Sequence, residues 1–189
     1  MAGHSKWAQI KRQKAVTDGA RARVFARFAR LITLEAKKAA GNTNDPGLKA
    51  AIERAKKVNM PKENIERAVA KGTSKDASSL EQVTYECYGP GGAAIIVDAL
   101  TDNRNRTTQE LKHLLSKNEL ELAAPGSALW AFQKHPDGSF TPHEPLTEVD
   151  ASFEDALSAL LSLLDEHDDV QRVFTNARGY ETTESDDEA

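Results

Sequence analysis

The chain has 189 residues, 39% of them hydrophobic and 29% charged, with a formal net charge of −4. That length can bury a core, and the composition is that of a hydrophilic globular protein; the longest apolar runs, such as residues 93–97, are far too short to cross a bilayer. The single cysteine, Cys87, excludes an internal disulfide and agrees with a reducing compartment.

The start of the chain carries charge but no apolar run with a small-residue cleavage site, so no secretory signal is expected and a cytoplasmic location is. The bulk charge conceals a polar molecule. Residues 1–75 hold 18 Lys+Arg against 6 Asp+Glu, a net of +12, whereas residues 76–189 hold 7 against 23, a net of −16. A basic half of this strength points to a polyanion, because phosphate neutralisation alone supplies much of the affinity for a nucleic acid.

Residues 2–18 show no sustained period and read as an arm with at most a short helix. Within it Trp7 lies among Lys6, Lys11, Arg12 and Lys14, and its ring either stacks on a base between cations or packs on the neighbouring helices. From Gly19 to Ala40 the period is helical. Val24, Phe25, Phe28, Leu31, Ile32 and Ala36 share one face, and Arg23, Arg27, Arg30, Lys37 and Lys38 the other. Only Glu35 interrupts this stripe of one sign, where a solvating face would mix signs.

Gly41–Asn44 reads as a turn, followed by Asp45 as N-cap and Pro46 at the first position of a helix to about Val58. Met60-Pro61 ends that helix and opens a third, Lys62 to Lys71, with Gly72 as its stop. The joint is shorter than a helix-turn-helix turn, and no base-reading set is evident. Residues 72–79 read as a linker.

The pattern then changes. Val83–Tyr88 and Ala93–Leu100 are strands, and Gly89-Pro90-Gly91-Gly92 between them is a hairpin turn rather than a phosphate cradle, since a strand follows it and the Walker lysine is missing. A helix from Thr107 to Lys117 is capped by Asn103 or Asn105, while Arg104 and Arg106 either pair with local acids or extend a basic surface. Ala128–Gln133 reads as a strand, His135–Gly138 as a turn and Phe140–Val149 as a loop or edge hairpin. Ser152 is the expected cap of a helix from Phe153 to His167, whose apolar face is Phe153, Ala156, Leu157, Leu160, Leu161 and Leu164. Val170–Asn176 closes the sheet, and residues 179–189 form an acidic tail expected to be disordered. The predicted fold is α+β: a three-helix basic domain (1–75), then a ferredoxin-like sandwich (80–178) with a mainly antiparallel sheet.

No catalytic constellation emerges. His4, His113, His135, His143 and His167 lack metal-ligand spacing, His167-Asp168-Asp169 reads as solvated charge, and Asp98 with Asp102 has no visible partner. Neither a metal nor a cofactor is expected, and no enzymatic activity, small-molecule substrate or membrane partner is.

Five stretches carry a family resemblance. GHSKWAQIK (3–11), NMPKENIERAVAKG (59–72), YECYGPGGAAIIV (85–97), TDNRNRT (101–107) and DDVQRVFTN (168–176) together resemble the YebC family. That family includes the mitochondrial translational activator of cytochrome oxidase subunit one. The resemblance implies an N-terminal helical domain followed by two intertwined α+β domains. It also implies a role either as a DNA-binding transcriptional regulator or in translation at the ribosome, including relief of stalling at proline-rich stretches. Family members are longer; the shortage falls between Gln133 and Phe153, leaving a reduced insertion at 134–151, and NELELAAP (118–125) replaces a glycine-rich stretch.

The resulting expectation is a non-enzymatic factor that binds rRNA or tRNA at the ribosome, through Lys6, Trp7, Lys11, Arg12, Lys14, Arg23, Arg27 and Arg30. The alternatives are a DNA-binding transcriptional regulator and a protein-interaction adaptor acting through the acidic half.

Overall fold

A computed structural model of the chain describes residues 6, 7, 9, 10, 18–74, 80–136 and 138–181. The head is built from α1 (Asp18–Lys38), α2 (Pro46–Lys57) and α3 (Lys62–Thr73). Asp45 caps α2 as its sequence predicts, its carboxylate accepting from the Leu48 amide at 3.1 Å. Ile32 and Ala36 of α1 meet Leu48, Ala51 and Ala55 of α2 and Ile65 and Ala68 of α3 in one buried cluster. Gly72 does not stop α3, which runs through Thr73; it permits a close approach. A Cβ there would lie 2.4 Å from the Thr33 carbonyl oxygen and 2.8 Å from Ala36 Cβ, so α1 and α3 touch backbone to backbone.

The body is α+β. Strands β1 (Glu81–Tyr88), β2 (Ala94–Thr101) and β5 (Val170–Thr175) form an antiparallel sheet in the order β1-β2-β5, with Tyr85 opposite Val97 and Val97 opposite Val173. Side chains alternate across a strand, so Val83, Tyr85, Cys87, Ile95, Val97 and Val173 share one face. They pack there under α4 (Arg104–Ser116) and α5 (Ala151–Glu166), chiefly against Leu111, Leu115, Leu157, Leu160, Leu161 and Leu164. Burial drives the Cys87 thiol up to about 12, which leaves it inert. The GPGG turn is a hairpin connection: the Gly89 amide donates to the Ala93 carbonyl at 2.8 Å and the Gly92 amide to the Gly89 carbonyl at 3.0 Å.

The opposite face has its own cover, which the expected two-layer sandwich did not include. A small hairpin of β3 (Phe132–Lys134) and β4 (Phe140–Pro142) seals Ile96 and Phe174, with Phe140 edge-on to Phe132 at 6.4 Å and to Phe174 at 5.3 Å between centroids. The strand expected at 128–133 therefore begins only at Phe132, after a single 3₁₀ turn at Leu129–Ala131. Glu86 is buried on this face and accepts from the amides of Gly126, Ala128 and Leu129 at 2.6, 2.7 and 3.0 Å. One carboxylate thus satisfies three loop donors that would otherwise be stranded.

Three local expectations are corrected. Asp150, not Ser152, caps α5: its carboxylate accepts from the Ser152 amide and hydroxyl at 2.9 and 2.6 Å, and those bonds hold it below its ordinary pKa. Phe153 and Ala156 are exposed, and the buried apolar residues of this helix are Leu157, Leu160, Leu161 and Leu164. The tail starts later than Gly179, since Tyr180 is buried in the body's core; residues 182–189 and residues 75–79 of the expected linker lie outside the described residues.

Candidate nucleic-acid interface

The arginine stripe of α1 does not face solvent along its whole length. Helix α5 ends in Asp165 and Glu166 with no base in its last turn, so its negative dipole end meets negative side chains. The missing cations come from α1. Arg27 pairs with the Asp165 carboxylate at 3.3 Å and also donates to the Asp165 carbonyl; Arg30 donates to the Asp168 carbonyl and pairs with Asp169 at 3.3 Å. Two residues expected to grip phosphate therefore tie the head to the body, where Asp165, Asp168 and Asp169 supply charge of the opposite sign.

Asp169 is the centre of this joint. Its side chain is only 4% exposed. One oxygen accepts from Arg106 at 2.8 Å and from the Thr107 hydroxyl at 2.7 Å, and the other faces Arg30. Its carbonyl accepts from the Leu100 amide at 2.8 Å, joining the start of β5 to β2. Burial alone would raise this carboxyl. The hydrogen bonds from Arg106 and Thr107 and the charges of Arg30 and Arg106 outweigh burial, and the net shift is downward. Arg106 thus takes the local-acid option: it also pairs with Asp102 at 3.0 Å.

Beside it His167 Nε2 lies 3.1 Å from Glu110 Oε2. Glu110, His167 and Asp169 are close enough to share an ion. The chemistry argues against that use: His167 Nδ1 already accepts from the Asp169 amide at 3.2 Å, and the Asp169 carboxylate carries two guanidinium partners.

Trp7 is corrected outright. Its ring is 1% exposed and belongs to the body's core with Tyr180, so it is no stacking platform. Lys6 is held beside it: its amide donates to the Gly179 carbonyl at 2.6 Å, and its ammonium pairs with Glu154 at 2.6 Å above the Tyr180 ring. The Glu154 hydrogen bond raises the Lys6 pKa. Lys11, Arg12 and Lys14 lie outside the described residues. Arg23 is half-buried and lines a cleft of about 630 Å³ between head and body.

The cations that do face solvent are elsewhere on the head. Arg21 and Lys37 of α1, Lys49 of α2, and Arg67 and Lys71 of α3 are exposed and make no ion pair among the described residues. Lys38, Lys56 and Lys62 are each paired within their own helix.

Residues 5–75 match the TACO1/YebC protein N-terminal domain, and residues 80–159 match the TACO1/YebC second and third domain. The chain belongs to the TACO1/YebC family. A relative from Chlorobium chlorochromatii is 44% identical over 172 residues, covering 89% of this chain and 68% of its own. One from Chloroherpeton thalassium is 41% identical over 185 residues, covering 96% and 73%. Both bear the name "probable transcriptional regulatory protein". The crystal structure of a conserved hypothetical protein from Aquifex aeolicus superposes with a TM-score of 0.75 at 28% identity, covering 85% of this chain and 91% of that one.

The stretches that resemble the YebC family acquire a physical role here. TDNRNRT supplies Arg106 and Thr107, DDVQRVFTN supplies Asp169, and the three meet at the joint. GHSKWAQIK supplies the buried Trp7. NMPKENIERAVAKG supplies Gly72 at the α1–α3 contact. Each of these four stretches thus contributes a residue to a contact between elements. In the sequence Asp169 reads as solvated charge because it stands in a run of acids after a helix; the pointer to its role is that no base offsets the C-terminal end of α5. Among the described residues no helix is long and apolar enough to cross a membrane.

Proposed function

We propose that this protein is a non-enzymatic, nucleic-acid-binding regulator of gene expression that works in translation, on ribosomal or transfer RNA. The observation that carries the reading is the set of head cations Arg21, Lys37, Lys49, Arg67 and Lys71, which are exposed and make no ion pair among the described residues, in a segment with a net charge of +12 over residues 1–75. A phosphate backbone satisfies such a surface without base-specific contacts. Lys11, Arg12 and Lys14 add to this charge in sequence, and Arg23 lines the cleft. Arg27, Arg30 and Lys6 would reach phosphate only by exchanging their carboxylate partners.

The test is ribosome co-sedimentation across a salt series with Lys37, Lys49, Arg67 and Lys71 each changed to Glu. Binding should fall steeply with salt in the wild type, and each lost phosphate contact should reduce the log–log slope by roughly 0.7 to 0.9. Unchanged co-sedimentation in the fourfold variant would refute the surface. The relatives' printed name favours a second reading, DNA-bound transcriptional regulation. A footprint on promoter DNA that survives competitor RNA would select it over the first.

A further inference from the structure

The cleft between head and body differs chemically from the outer cationic surface. Its volume, about 630 Å³, falls in the range of small-ligand sites. Helices α1 and α2 form one wall, with Phe28 and Leu31 as apolar lining; the β3 end of the hairpin forms the other.

The balance of its charges is informative. Each acid that lines it is already engaged. Glu35 pairs with Lys38 at 2.8 Å and lies over the first turn of α2, where a Gly47 Cβ would stand 2.6 Å from its oxygen. Asp165 is taken by Arg27. Asp98 faces Arg172 at 3.5 Å and accepts from Gln82 at 2.9 Å, and Glu166 is engaged as well. Three cations from three different elements are left over: Arg23 of α1, Arg54 of α2 and Lys134 of β3 make no ion pair among the described residues. Arg54 lies over the Phe28 ring, 6.0 Å from its centroid, so on this wall the guanidinium plane is stacked on the aromatic group.

This lining is complementary to an occupant with negative charge and a flat part that can lie against the Arg54 and Phe28 wall. We infer that this cleft binds one nucleotide unit, its phosphate held between Arg23, Arg54 and Lys134 and its base laid against the Phe28 and Leu31 wall. A guanidinium fork suits a phosphate, and both guanidinium planes and aromatic rings stack on bases. The inference rests on the nucleic-acid reading above and gives it a second, enclosed contact. The nucleotide comes either free or as part of a single strand, and the chemistry of the site is the same for both.

Titration calorimetry of the full chain with 5′-AMP, adenosine, inorganic phosphate and a single-stranded adenylate hexamer tests it. 5′-AMP or the hexamer should bind saturably, and adenosine or phosphate alone should bind much more weakly. The double variant Arg23→Gln, Arg54→Gln should weaken the nucleotide ligand roughly tenfold or more, as expected for lost charge-assisted bonds, while Lys112→Gln on the far helix α4 changes nothing. A hexamer that binds at least about tenfold more tightly than 5′-AMP assigns the site to a strand; near-equal affinities assign it to a free nucleotide. Should the double variant melt abnormally, Lys134→Gln on the opposite wall gives the same reading. The cleft is refuted if no nucleotide ligand saturates, or if these variants bind as the wild type does. Ribosome co-sedimentation that persists in that event leaves the functional reading standing; its loss in the wild type as well would bring both down.

Discussion

Helix α1 meets α3 and the body in opposite ways. Against α3 it is dry and close: Gly72 lets the backbones touch, and the Thr33 hydroxyl donates to the Ala68 carbonyl at 3.1 Å. Against the body it is charged: Arg27 and Arg30 reach acids and carbonyls at the end of α5 and the start of β5. The first contact depends on shape, so salt and pH leave it nearly untouched. The second depends on charge in a partly wetted seam, so both weaken it. The three helices of the head thus pack closely on one another, and ion pairs join them to the body at this seam.

The sharpest break is on the dry side. Gly72→Val forces a side chain against the Thr33 carbonyl and Ala36, and should cost about 3 kcal/mol, read as a lower urea midpoint with an unchanged slope. Next comes the joint. Asp169→Asn leaves Arg30 and Arg106 without their shared carboxylate and should cost about 2 kcal/mol, less than a fully buried pair because Arg30 is 30% and Arg106 43% exposed. Its pH dependence has a definite sign. The folded-state pKa of Asp169 is lowered, so its contribution is complete above the ordinary carboxylate value near ~4 and is lost as pH falls through the lower folded value. The wild-type melting temperature should drop over that acid limb, and Asp169→Asn should flatten it.

Arg27→Gln comes third. It removes one ion pair and one cation at the α5 C-terminus, and should cost about 1 kcal/mol, most of it absent at high salt. A calorimetric salt series on this variant and on Gly72→Val separates the two interfaces directly, since the loss in Gly72→Val should not move with salt. The smallest effect belongs to the outer cations. Lys37→Glu and Lys71→Glu each put an acid in the last turn of a helix, so the melting temperature should fall only slightly, and the main loss should appear in RNA affinity.

Much of the architecture was legible from local rules. The α1 face, the Asp45 cap, the GPGG hairpin and the Asn103 cap of α4, which accepts from the Arg106 amide at 3.1 Å, all follow from residues a few positions apart. The candidate site was legible only in its sign. Arg27 and Arg30 look the same as Arg23 along α1, and nothing within the helix says that two of them meet an acidic helix end 138 residues downstream. Trp7 failed for a related reason: cationic neighbours suggested an exposed ring, whereas its packing partners, such as Tyr180, lie at the other end of the chain.

The amino-acid order by itself determined the family, the α+β class and the division into a basic and an acidic half. Those depend on composition, short-range periodicity and turn chemistry, which a linear reading contains. Which cations are spent on the body's own carboxylates, and which still face solvent or the cleft, was decided only when distant segments came together. A charge has no assigned partner until folding brings one within a few ångströms and removes the intervening water.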